Sequence, residues 1–223
     1  MEFRHEFKHE INDLDRRILR QRLQAVMHLD EHASGGKYCI RSIYFDNLLD
    51  KALREKIDGV NHREKFRMRY YNGSLSEIHL EKKSKENNLG NKQMCFLKIY
   101  EAQRIINGDL EWMKESGRPL VVELYSKMLS QGLQPKTIVD YVREPYIFNA
   151  GNVRVTLDYD IRTGLLSTDF LNPESLTIPV CFPGTILEVK WDAYLPEIIR
   201  DIVQLDGRRS SAFSKYAVSR MYE

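Results

Sequence analysis

The run Arg63-Glu64-Lys65-Phe66-Arg67-Met68-Arg69-Tyr70-Tyr71 carries the densest chemistry in this 223-residue sequence. In an extended strand, successive side chains point to opposite faces. One face then holds Arg63, Lys65, Arg67, Arg69 and Tyr71, with its cations spaced ~6–7 Å apart. The other holds Glu64, Phe66, Met68 and Tyr70 and suits a core. Such a cation row faces either open water, as the solvated side of a half-buried strand, or a bound polyanion. One strand does not decide between them, but the pattern recurs. Lys8, Lys83, Arg143, Arg154 and Lys190 sit on the charged faces of other alternating segments, and Glu6 and Glu188 share those faces. Arginine grips phosphate through forked hydrogen bonds, and lysine acts as a point charge. The two glutamates offer hard oxygen ligands for a divalent cation.

These groups need strands to aim them. Residues 2–11 predict a first strand, with Phe3, Phe7 and Ile11 on one face and Glu2, Arg4, Glu6, Lys8 and Glu10 on the other. Asn12 caps a helix reaching about Leu29. Tyr38 to Asp46 reads as a strand with Cys39, Ile43 and Phe45 toward the core, and a short helix over 47–58 closes at Gly59. The cationic strand follows. Asn72-Gly73 then signals a hairpin into a partner strand from Leu75 to Ser84, with Ile78 and Leu80 inward and Glu77, His79, Glu81 and Lys83 opposite. Residues 85–94 read as a polar loop, and Phe96 to Gln131 as helical, broken at Asn107-Gly108 and Gly117. A second hairpin joins Ile138–Phe148 to Val153–Tyr159. Residues 163–185 are irregular, Ile186–Trp191 is the last strand, Pro196 opens a helix, and Ser211 caps a final helix containing Lys215.

Length and composition fit a single domain over 1–223. The net charge is only +2, so a basic site must come from local clustering and no specific nucleic-acid partner is expected. Cys39, Cys95 and Cys181 are odd in number and widely spaced, as in a reduced, cytoplasmic protein. No apolar run approaches the ~18 residues of a membrane span, and the first residues do not resemble a signal peptide. His28 and His32 share a helical spacing but are read as incidental, and Asp158 and Asp160 as structural.

Hairpins and short connections make the sheet mostly antiparallel. If helices cover its apolar face, the charged faces turn together into the interior of a curved sheet. The predicted fold is therefore α+β, an antiparallel, barrel-like tunnel with a charged interior, flanked by helices. Lys8, Lys65, Arg67, Arg69, Lys83, Arg143, Arg154 and Lys190 would line it. Buried unpaired cations cost several kcal/mol each, so the interior is expected to be wet and to bind a dense anion.

Several segments together resemble the polyphosphate-polymerase (VTC) domain, a branch of the triphosphate tunnel metalloenzymes related to the CYTH proteins. They are His5-Glu6-Phe7-Lys8, Ser42-Ile43-Tyr44-Phe45-Asp46, Lys65-Phe66-Arg67-Met68-Arg69-Tyr70, Leu80-Glu81-Lys82-Lys83-Ser84, Tyr141-Val142-Arg143-Glu144, Asn152 to Asp158, Leu187-Glu188-Val189-Lys190 and Phe213-Ser214-Lys215-Tyr216. They fall in family order along almost the whole chain. The resemblance implies that Lys8, Arg67, Arg69, Lys83, Arg143, Arg154 and Lys215 cradle a triphosphate, with Lys92 as a loop lysine at one tunnel mouth. It implies Mn²⁺ or Mg²⁺ on Glu188, and Glu6 shares that face. The implied activity moves the γ-phosphate of ATP onto a polyphosphate chain, and transport would need a separate membrane protein. Hydrolytic relatives open with Glu-x-Glu-x-Lys, whereas this chain has Arg4-x-Glu6-x-Lys8, which weakens the case for a hydrolase. A metal-dependent triphosphatase and a non-catalytic polyphosphate or nucleic-acid binding module are the alternatives.

Overall fold

The computed structural model describes residues 5–31, 33–86, 89–205 and 212–221. Phe3, Arg4, His32 and Ser211 lie outside the described residues, and so does the departure seen at Arg4. In chain order the elements are β1 (His5–Ile11), α1 (Asp13–Val26), β2 (His28–Leu29), β3 (Tyr38–Asp46), α2 (Lys51–Ile57), β4 (Arg63–Tyr71), β5 (Ser74–Glu86), β6 (Leu89–Leu97), α3 (Ile99–Ile106), α4 (Pro119–Gln131), β7 (Gln134–Phe148), β8 (Val153–Thr163), β9 (Ile178–Pro179), β10 (Thr185–Trp191), α5 (Glu197–Val203) and α6 (Lys215–Ser219). The fold is α+β.

One antiparallel sheet runs β1-β10-β8-β7-β3-β4-β5-β6, with β2 on β7 and β9 on β8. It curls into a half-barrel, and its edge strands β1 and β6 are not neighbours in the ladder among the described residues. Strand alternation sorts the two sides. Phe66, Met68 and Tyr70 of β4 join Ile43, Phe45, Ile78 and Leu80 in an outer core under α3 and α4. On the other wing Val155, Leu157, Leu187 and Val189 pack beneath α1 and α5. A third cluster lies on the concave side, where Tyr44, Tyr141, Ile186 and Tyr216 fill one part of the curl. Helices α1, α3, α4 and α5 take the convex side, while α2 and α6 join the concave cluster through Leu53 and Tyr216; the charged strand faces turn inward as alternation predicts.

Local signals account for much of this. Asn12 accepts a hydrogen bond from the Asp15 N–H while Asp15 accepts from the Asn12 N–H, closing a capping box on α1. Asn72 and Gly73 both have positive φ (52° and 69°), the conformation a two-residue hairpin turn requires.

Several predicted boundaries move. Helix α1 stops at Val26, because Met27 is extended and His28–Leu29 pair with Ile147 and Tyr146 of β7. Of the predicted loop 85–94, residues 85–86 are instead the end of β5 and 89–94 most of β6, an edge strand whose ladder pairs Lys83 with Lys92. Phe96 and Leu97 belong to that strand, not to a helix. Cys39 is exposed, while Ile43 and Phe45 are in the core as expected. Ser214 caps the last helix, accepting from the Ala217 N–H.

Candidate polyanion site in the curled sheet

The concave side encloses a cavity of ≈ 1090 Å³, lined by twelve lysines and arginines against three glutamates. Lys8 and Glu6 reach it from β1, Lys65, Arg67 and Arg69 from β4, Lys83 from β5, and Lys92 from β6. Arg143 comes from β7, Arg154 from β8, and Glu188 and Lys190 from β10. Lys215 is the exception among the expected groups. It stands beside the lining residues Phe213 and Ser214, with its Nζ 2.6 Å from Asp158 and 4.5 Å from the centre of the Tyr141 ring. Lys92 projects from a strand, not a loop.

Most of these cations have carboxylate partners, which qualifies the expectation of unpaired charge. Glu81, fully buried, accepts from Arg67 Nε at 2.7 Å and lies 2.6 Å from Lys92 Nζ and 4.0 Å from Arg69. Burial would raise its pKa, but Arg67, Arg69 and Lys92 together hold it far below the usual carboxylate range. Arg69 also donates to Ser42 Oγ (3.0 Å) and to the Tyr141 hydroxyl (2.8 Å), and Arg67 donates to the Tyr44 hydroxyl (2.9 Å). Asp158 accepts a forked pair from Arg143, both at 2.7 Å, as well as the bond from Lys215. Arg154 is 3.4 Å from Asp30. Asp158 is thus a positioning carboxylate, and Asp160 makes only a 3.6 Å pair with Arg162.

Lys65 and Lys83 are placed differently. Around Lys83, burial and the nearby Lys190 and Arg67 outweigh Glu188, so its pKa falls well below the lysine range. Burial likewise brings Lys65 down to about 8, with Arg67, Lys8 and Lys56 adding to the shift and only Tyr44 opposing it. Burial alone would raise the Tyr44 phenol, yet Arg67, Lys65 and Arg69 bring it down to about 7. These shifts mark a pocket with excess positive potential, where a dense anion would restore full charge to the lysines.

Glu6 and Glu188 converge through shared partners. Lys8 bridges them, 3.2 Å from Glu188, and Lys190 lies 3.2 Å from Glu6 and 3.0 Å from Glu188. Burial opposes ionisation of Glu188, but Lys190, Lys8, Arg143 and Lys83 keep it ionised with a pKa well below normal. Two ionised carboxylates side by side are suitable donors for a hard divalent cation that draws its other oxygens from phosphate and water. Among the described residues no cluster of three or more His, Cys, Asp or Glu offers a cage built from protein alone.

Glu81 is the residue whose role the sequence did not reveal, although alternation put it on the charged face. Arg67 faces it across the ladder, but an irregularity between Arg69 and Tyr71 shifts the β4–β5 register. Counting back from the Tyr71–Ser74 pair at the turn would have set Arg67 opposite Ile78. Tyr44, Ser42 and Tyr141, which hold the two arginines, lie in segments that carry the family resemblance but are uncharged, so the sequence assigned them no role in the site.

The sequence matches the VTC domain family over residues 3–222. Among solved structures, the PH1012 protein of Pyrococcus horikoshii OT3 is 14% identical with a TM-score of 0.51, covering 98% of this chain and 99% of its own. It shares the fold. The PH1819 protein of the same organism is 16% identical with a TM-score of 0.43, over 89% of this chain and 84% of its own. A conserved hypothetical protein from Pyrococcus furiosus is 14% identical with a TM-score of 0.45, over 89% and 85%. No curated protein matches.

Proposed function

The chain belongs to the VTC domain family, and on that premise we propose that its cavity is a phosphotransferase site moving the γ-phosphoryl group of ATP onto polyphosphate. The observation that carries this is the convergence of cations from seven strands on one cavity, with Lys65 and Lys83 left in excess positive potential. A triphosphate or longer chain supplies the missing negative charge.

No protein nucleophile is required. An oxygen of the acceptor phosphate forms a new bond to the γ-phosphorus, the bond to the β–γ bridging oxygen breaks, and ADP leaves. The protein contributes alignment and electrostatic stabilisation. Arg67 and Arg69 are held from behind by Glu81, Ser42, Tyr44 and Tyr141, and Arg143 by Asp158, so their guanidinium groups meet phosphate already oriented. Lys8 and Lys190 exchange Glu6 and Glu188 for phosphate oxygens. That frees the two carboxylates to hold Mn²⁺ or Mg²⁺, whose charge would offset that of the phosphates.

The deciding experiment incubates the pure protein with ATP and Mn²⁺ and separates products by chain length. Growing chains are expected. Orthophosphate and ADP alone would instead identify a triphosphatase, and tight binding with no turnover a binding module. In the same assay Glu188→Gln should lose metal-dependent turnover yet still bind triphosphate, because cations dominate anion affinity. Unchanged rates would remove Glu188 from the site.

A further inference from the structure

Beyond the cations, the concave face ends in a run of touching aromatic rings. Tyr38 meets Tyr71 at 5.5 Å between centroids, Tyr71 meets His79 at 5.6 Å, and His79 meets Phe96 at 4.7 Å. His79 Nδ1 lies 3.0 Å from Met94 Sδ. Tyr38 and Tyr71 line the cavity, and the rest carry the strip outward, where Phe96 is 56% and Met94 47% exposed. Alternation fixes this direction: Cys95 and Leu97 pack into the outer core, which turns Met94 and Phe96 to the same side as Lys92.

The strip adjoins the phosphate-facing cations directly. The Arg69 guanidinium carbon is 5.9 Å from the centre of the Tyr71 ring. Burial, together with the charges of Lys92 and Arg69, lowers the His79 pKa, so its ring is neutral around neutral pH. An exposed phenylalanine and methionine beside a wall of lysine and arginine gain little by facing water. A ligand that is anionic at one end and flat and apolar at the other satisfies both surfaces. Inorganic polyphosphate meets only the first.

We propose that Phe96, backed by the tilted His79 ring (58°) and by Tyr71 edge-on beyond it (80°), forms a stacking platform for the base of a nucleoside triphosphate whose phosphates lie toward Arg69 and Lys92. The inference rests on the cavity being a triphosphate site, and it makes the donor a nucleotide in preference to an inorganic chain. Stacking tolerates any base, since every base presents a π-face, so the platform favours nucleotides as a class.

The test compares ATP with ribose 5-triphosphate, which has the same phosphates and no base, by calorimetry on the full chain. Wild type should bind ATP about tenfold more tightly, within the range of one base–aromatic contact. Phe96→Ala should erase that difference while leaving ribose 5-triphosphate affinity within about twofold, and Phe96→Tyr should keep the difference. Equal affinities in the wild type, or an equal loss for both ligands in Phe96→Ala, would overturn the platform and leave the phosphate site standing. If wild type binds neither ligand, the triphosphate site itself fails, and the platform with it. If Phe96→Ala changes only the association state in sedimentation, the strip is an interface between copies and the proposal is overturned.

Discussion

Lys65 sits among Tyr44, Arg67, Lys8 and Lys56, and burial in that company brings its pKa to about 8. A polyanion favours the ammonium form, so the ligand-bound pKa lies above the ligand-free one. Triphosphate affinity should therefore be greatest below pH 8 and fall as pH rises through it, with proton uptake on binding near pH 8. Lys65→Arg keeps its charge and should make this profile shallower, with Tyr44 and Lys83 supplying the remaining slope, measured by calorimetry in buffers of different ionisation enthalpy. A pH slope unchanged in that variant would exclude Lys65 as its source. Glu81 makes the complementary case. Removing one partner of a buried ion pair costs about 3–5 kcal/mol, so Glu81→Gln should melt well below the wild type, roughly 6–20 °C lower for a chain of this size. Its folded pKa is depressed, so its stabilisation is present above about pH 4–5 and is lost as pH falls below that range. The freed Arg67 and Lys92 should bind tripolyphosphate more tightly, and the ligand should recover part of the lost stability. If melting is unchanged, the cluster around Glu81 does not form in solution. The arginines are structural as well as cavity-facing, which sequence alternation could not reveal.

At the scale of elements, Asp46 ties three pieces together. Its carboxylate accepts from the N–H groups of Asn47, Ala52 and Leu53 at the start of α2, and from the Tyr216 hydroxyl of α6 at 2.7 Å. Tyr216 also stacks on Tyr44 at 4.9 Å, and this docking brings Lys215 to Asp158. Asp46→Ala should cost roughly 2–4 kcal/mol and weaken triphosphate binding through Arg143 and Lys215. Tyr216→Phe, which loses one hydrogen bond, should cost about 1 kcal/mol. Denaturant melts with a binding titration check both; full affinity in Asp46→Ala would detach α6 from the site. Much of the architecture around this knot was legible. The cationic strand and its Asn72-Gly73 turn were read to the residue, because strict alternation and a two-residue turn leave few alternatives. Strand β6 was not. Its Gly90, Asn91, Lys92 and Gln93 lie at a sheet edge against the charged cavity, so no apolar period marks them. The end of α1 moved because β2 pairs with a segment more than a hundred residues away, which no local signal encodes.

For the molecule as a whole, a net charge of +2 conceals a local excess, since twelve of the 34 lysines and arginines line the cavity against three glutamates. Like charges confined to one cavity repel, and a polyanion reverses that repulsion. No helix among the described residues is long and apolar enough to cross a membrane. If the cavity accepts phosphate chains, successive phosphates meet successive cations along it. Thermal melts in orthophosphate, pyrophosphate and tripolyphosphate test it most directly. Ligand at ~100 times its Kd adds roughly 2.7 kcal/mol, or a rise of about 5–10 °C for a domain of this size. The rise should grow from orthophosphate to tripolyphosphate and shrink with added salt. A small shift, indifferent to chain length, would contradict a phosphate-binding tunnel and leave only a solvated stripe of charge.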